Sequence, residues 1–168
     1  MLTWRNERHL RAAVAAHPFL LSAAFPAQLA STARSLCYHG MTSAQALAAL
    51  TALPTLAGLR SSELLSGLEA AGLDPAAVPA AAWDILAREP ECLTPGGAQR
   101  LGVTLRLLEG CRLARSDALA VLQKCPQLLW EGEQEGAARV VEVLRSAGVS
   151  EAQLAALLLG YPPLLRCQ

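Results

Sequence analysis

The sequence predicts an all-α fold, a helical-repeat solenoid, and three observations carry that prediction. Proline recurs at one interval: Pro18, Pro54, Pro90, Pro126 and Pro162 stand 36 residues apart with nothing inserted or deleted between them. A fixed period of roughly 20–50 residues marks an array in which each unit buries its apolar face against its neighbours. Around each proline the same pattern returns, apolar residues at helical spacing before it and an apolar pair after it, most plainly from Leu122 to Leu129. Composition agrees: 53% of residues are hydrophobic and 4% aromatic, so leucine and alanine, both strong helix formers, must supply the core. Residues 1–168 therefore read as a single array of about five units, each of two α-helices and a short 3₁₀ turn.

In each unit apolar residues stand eight, five and four positions before the proline, the spacing of one helix face. These columns hold Leu10, Ala13 and Val14; Ala46, Ala49 and Leu50; Ala82, Ile85 and Leu86; Ala118, Val121 and Leu122; and Leu154, Leu157 and Leu158. This is helix A. The residue before a proline is pushed out of the helical region, so helix A must end there. The proline, with its preset φ and no N–H to satisfy, then opens a new turn. The apolar pairs that follow (Leu20 and Leu21 in the first unit, Leu128 and Leu129 in the fourth) are too short for an α-helix and predict a one-turn 3₁₀ plug between units.

Helix B follows, with start signals at Pro26, Ser61 to Glu63, Thr94 with Pro95, and the acidic run Glu131 to Glu135. Its end is marked by glycine before an apolar residue at Gly40 and Met41, Gly72 and Leu73, and Gly148 and Val149, the left-handed cap with its hydrophobic contact. The third unit has its glycine, Gly110, two residues early. The next helix A starts at Thr42 or Ser43, Asp74 with Pro75, Ser116 with Asp117, or Ser150 with Glu151. Thr42 with Gln45 and Ser150 with Gln153 fit the capping box. In the second unit the capping glycine arrives four residues early, which predicts a helix B shortened by about one turn and a following helix A lengthened by as much.

Fourteen basic and fourteen acidic side chains cancel, so net charge makes no case for a polyanionic partner. The distribution is uneven: residues 1–62 carry Arg5, Arg8, Arg11, Arg34 and Arg60 against Glu7 alone. Five cysteines without a CxxC pair or ligand-spaced histidines fit a reducing compartment, buried packing and no metal site. The uncharged stretch 35–59 is broken by Gly40, Thr42, Ser43, Gln45 and Pro54, which excludes a membrane span. The N-terminus is rich in Arg and Ala and poor in acid, as organelle transit peptides are, yet residues 14–21 already sit in repeat register. His9, His17 and His39 have no nucleophile or carboxylate in a recognisable motif, and no glycine-rich phosphate loop follows a strand, so no enzyme and no cofactor is expected.

The unit of apolar helix, Cys125-Pro126 and Leu128-Leu129, second helix, and Leu144 to Val149 cap resembles the repeat of the mitochondrial transcription termination factor (mTERF) family, in register over essentially the whole chain. Within it, Pro90 to Thr94 and Thr104 to Glu109 are most similar to the fourth vertebrate member. The resemblance implies a left-handed superhelix with a concave face that binds ribosomal RNA or double-stranded DNA. It also implies a mitochondrial location (a chloroplast in a plant or alga), work in ribosome biogenesis, translation or transcription termination, and an RNA methyltransferase partner. Family members usually have more units and a basic concave surface, so a neutral chain of this length reads as a fragment, a short form or a divergent member, and as a monomer without membrane attachment.

Phosphate binding by such an array needs cations repeated on one face at the pitch of the stack. The candidate strip is Arg34, Arg60, Arg88, Arg100, Arg106, Arg112, Arg115 and Lys124. Arg34 and Arg106 both stand sixteen after their prolines, although Glu142 fills that column in the fourth unit, and Arg88 and Lys124 both stand two before theirs. The competing reading of each is a solvated face with local ion pairs to Glu89, Glu91, Glu109 or Asp117. Trp83 and Trp130 are candidates for base stacking or for packing between units. The rival function is a non-enzymatic scaffold holding a protein, for which the acidic patch Glu131, Glu133 and Glu135 speaks. A pentatricopeptide array, resembled at Gly72 to Pro75, is the weaker alternative because that segment occurs once.

Overall fold

The computed structural model describes residue 15, residues 18–130 and residues 132–166. The first helix A, with Leu10, Ala13, Val14, His9 and His17, lies outside the described residues, as do Glu131 and Cys167. The rest is α-helix and 3₁₀ turn, with no strand among the described residues. The elements run η1 (Pro18–Leu21), α1 (Phe25–Tyr38), α2 (Ser43–Ala52), η2 (Pro54–Gly58), α3 (Ser61–Ala70), α4 (Ala80–Arg88), η3 (Pro90–Leu93), α5 (Pro95–Gly110), α6 (Arg115–Lys124), η4 (Pro126–Leu129), α7 (Glu133–Ser146), α8 (Glu151–Gly160) and η5 (Pro162–Arg166).

Each of the five prolines opens a 3₁₀ turn. The residue before it leaves the helical region in the same way in four units, at φ −132°, −117°, −136° and −140° for Leu53, Glu89, Cys125 and Tyr161. That is the steric demand of the proline ring.

Helices stack like on like. The A helices α2, α4, α6 and α8 pack in series, as do the B helices α3, α5 and α7, and η3 and η4 wedge between successive B helices. The helix A columns form the seam: Ala49, Ile85, Leu86, Val121 and Leu122 are all 2% exposed or less. Leu56, Leu93, Leu128 and Leu165 plug the turns and are equally hidden. Buried Leu side chains of this kind contribute about 2–5 kcal/mol each against alanine. Both predicted capping boxes form, with Thr42 N–H donating to Gln45 Oε1 at 2.9 Å and Ser150 N–H to Gln153 Oε1 at 2.9 Å.

Two local expectations are corrected. Helix B of the second unit is indeed short at ten residues, but the following α4 gains nothing and starts at Ala80. Pro75 and Pro79 explain this, because each removes an N–H and biases the residue before it to extended backbone. The spared residues form a turn in which Asp74 Oδ1 accepts from Ala76 N–H at 2.9 Å. In the third unit Gly110 is not the cap. It ends α5, and Arg112 takes the left-handed position at φ 60°, where Gly40, Gly72 and Gly148 stand in the other units.

Two glycines in α5 set how closely the helix B layer packs. A Cβ on Gly97 would lie 1.9 Å from the carbonyl oxygen of Glu91 in η3, and one on Gly102 would lie 2.7 Å from that of Ala70 at the end of α3. No side chain fits either place.

Candidate nucleic-acid interface

The structure distributes the eight candidate cations over three regions. Arg88 and Lys124 end the A helices α4 and α6 and Arg60 precedes α3, Arg112 and Arg115 stand at the B-to-A turn and the start of α6, and Arg34, Arg100 and Arg106 lie on B helices. One helix shows the separation: α6 carries Arg115 as its first residue and Lys124 as its last, roughly 14 Å apart along the axis.

Their partners divide them further. Arg60 pairs with Glu63 at 3.3 Å, Arg100 with Glu91 at 3.4 Å and Arg115 with Glu109 at 2.8 Å. Arg115 also donates to the Gly72 carbonyl at 3.2 Å, which ties α6 to the end of α3. The Arg60 backbone N–H, 2.6 Å from the Glu63 carboxylate, holds Glu63 below the usual carboxylate range. Arg112 adds its field at Glu151. Among the described residues Arg34 bonds the Ala30 carbonyl of its own helix and no carboxylate, and Arg106 is exposed without an ion pair.

Arg88 and Lys124 behave as a repeated pair. Arg88 Nη1 donates to the Gln123 carbonyl at 3.3 Å, and Lys124 Nζ donates to the Leu159 carbonyl at 2.9 Å. Each cation therefore reaches from the end of one A helix to the residue three before the proline of the next unit. These are last-turn carbonyls without an intrahelical donor, at the negative end of the helix dipole. The contacts fix both side chains on one edge at the pitch of one unit. Both remain exposed, and no carboxylate among the described residues neutralises either.

The two tryptophans part company. Trp83 is 2% exposed and belongs to the core, whereas Trp130 is 51% exposed at the end of η4. Trp130 and Glu89, together with Glu91, Cys92, Arg100 and Leu129, line a hollow of about 210 Å³. Burial raises the Glu89 carboxyl above its ordinary range, with Trp130 opposing and Glu91 adding to the shift. Burial likewise pushes the Cys92 thiol up to about 12 and raises Cys111 and Cys125, so these thiols stay protonated and act as small core residues.

Two polar links were invisible in the sequence pattern. Asp84 on α4 accepts from Gln45 on α2 at 2.7 Å and from Gln123 on α6 at 3.3 Å, so one carboxylate ties three A helices. Arg145 bonds the Gly110 carbonyl at 2.9 Å and Glu151 at 2.7 Å, and this partner holds the Glu151 carboxyl below its usual range. Among the described residues no helix is long and apolar enough to cross a membrane.

A two-layer stack of helix pairs, locked by 3₁₀ plugs and carrying cations at unit pitch along one edge, defines a helical-repeat binding protein. The mTERF family model matches residues 6–168, and the chain belongs to the mTERF family. Proteins of this family are nucleic-acid-binding repeat proteins that regulate organellar gene expression and are generally non-enzymatic. No curated protein and no solved structure matches the chain.

Proposed function

We propose that this chain is a mitochondrial RNA-binding array that acts as a monomer in biogenesis and translation of the large ribosomal subunit, with ribosomal RNA preferred over double-stranded DNA. The observation that carries the reading is the pair Arg88 and Lys124, held exposed at unit pitch by equivalent contacts. Cations spaced in this way track a phosphate backbone, each adding a sequence-independent increment of affinity. Arg34 and Arg106 extend the positive surface over the B helices, whereas Arg60, Arg100 and Arg115 are largely engaged with carboxylates. The preference for ribosomal RNA rests on the similarity of Pro90 to Thr94 and Thr104 to Glu109 to the fourth vertebrate member.

The test is binding of a labelled large-subunit ribosomal RNA fragment across a salt series, with wild type and the double reversal Arg88→Glu, Lys124→Glu. Affinity should fall steeply with salt, and the reversal should weaken binding and flatten the salt slope by about two counterions. Salt-independent binding, or a reversal without effect, rejects the reading.

A second reading, a scaffold that holds a protein such as an RNA methyltransferase, is favoured by the last unit. Its Leu157 occupies a column that is buried at Ala49, Ile85 and Val121, yet it is 43% exposed. Co-purification of a methyltransferase that is lost on Leu157→Glu would favour this reading.

A further inference from the structure

The hollow beside Trp130 is not demanded by the repeat. The position four after the proline holds Ser22, Gly58, Thr94 and Arg166 in the other units, so an aromatic there serves no common packing need. The ring stands beside Glu89 in the wall of the hollow while half of its surface stays open to water. An exposed ring in the wall of a hollow offers its face to a planar ligand. At about 210 Å³ the hollow lies below the roughly 300 Å³ at which pockets for drug-sized ligands begin, which suits a single base.

The polar lining selects among bases. Glu89 and Glu91 offer acceptors, and Arg100 Nη2 is already turned to Glu91 at 3.4 Å. Of the four RNA bases only guanine presents two adjacent donors, N1–H and the N2 amine, on its Watson–Crick edge. Adenine and cytosine set an acceptor beside their amine, and uracil has one N–H between two carbonyls. In a duplex that edge is used in pairing, so only an unpaired base can offer it. Arg88, next to Glu89 in the chain, and Lys124, just before η4, are the exposed cations that would hold the phosphates of such a strand.

We propose that this hollow takes one unpaired guanine of a single-stranded RNA, stacked on Trp130, with its N1–H and N2 amine donated to the carboxylates of Glu89 and Glu91. The inference rests on the reading of the chain as an RNA-binding protein and adds a base-specific subsite to it.

The test uses the whole chain and a short labelled oligouridine with a single central guanine. Comparators carry uracil, adenine or inosine at that place, or present the guanine in a blunt duplex. Anisotropy and tryptophan quenching are read together. The guanine strand should bind on the order of tenfold more tightly than the all-uridine strand and quench fluorescence, and inosine, lacking the N2 amine, should lose part of that gain. Trp130→Ala should remove the preference and Trp130→Phe retain most of it, while Glu91→Gln should bring guanine and inosine together. Equal binding of all single strands, or an unchanged preference in Trp130→Ala, overturns the subsite. If those strands still respond to salt and to the Arg88 and Lys124 reversal, the broader RNA-binding reading survives that result. Absence of any RNA binding overturns both.

Discussion

Lys124 Nζ lies 2.9 Å from the carbonyl oxygen of Leu159, so the last residue of one A helix caps the C-terminal turn of the next. Arg88 repeats the contact one unit earlier on Gln123. A cation at a helix C-terminus contributes about 0.3–1 kcal/mol through the dipole and the unsatisfied carbonyls. Lys124→Ala should lower unfolding stability by that amount and Lys124→Glu by more, as measured by urea denaturation. High salt should shrink both losses.

Gly96 and Gly97 are neighbours with opposite tolerance. A Cβ on Gly96 meets nothing within 4 Å, whereas one on Gly97 strikes the Glu91 and Cys92 backbone. Gly97→Ala should destabilise by about 3 kcal/mol or more, since η3 must move away from α5. Gly96→Ala should be neutral or stabilising by up to about 1 kcal/mol, because alanine is the better helix former. Thermal melts of the two variants side by side check this.

Arg112 holds a left-handed backbone at φ 60° where the other described units use glycine. For a residue with a Cβ that conformation costs roughly 1–2 kcal/mol. Arg112→Gly should therefore raise stability by about 1 kcal/mol, part of the strain relief being offset by the freer unfolded chain. Arg112→Val should lower it, because a branched Cβ is worse still in that region. Chemical denaturation gives both signs.

Glu89 supplies a pH dependence. Burial raises its folded carboxyl above the unfolded value of about 4.3, so in that window the folded state binds the extra proton. Its stabilising contribution is complete below the unfolded value and is lost as pH rises through the folded one. Glu89→Gln, an uncharged residue of the same shape, should be more stable than wild type at pH 7 and lose that advantage near pH 4. Denaturation at the two pH values reads the difference.

Much of the fold was legible because its signals are local. A proline acts on the residue before it, a threonine or serine on the N–H groups three residues ahead, and a glycine on its own φ. The five 3₁₀ turns, both capping boxes and the ends at Gly40, Gly72 and Gly148 accordingly fall where the sequence predicts them. Two of the misplaced boundaries are local conflicts: Pro79 overrode the start signal at Asp74, and the register of the cap overrode Gly110 in favour of Arg112.

The site was less legible, because it depends on atoms 35–43 residues away in the chain. One repeat of sequence places Arg88 and Lys124 in the same column, yet only the stacking of α4, α6 and α8 decides that both reach the next helix end. The same holds for Trp83 and Trp130, alike as residues, of which stacking buried one and left the other at the surface. The sequence by itself determined the unit, its period and its caps, since these follow from backbone sterics within one turn. Only the tertiary structure decided which cations stay free and which aromatic meets solvent, since inter-unit packing selects the face each side chain presents.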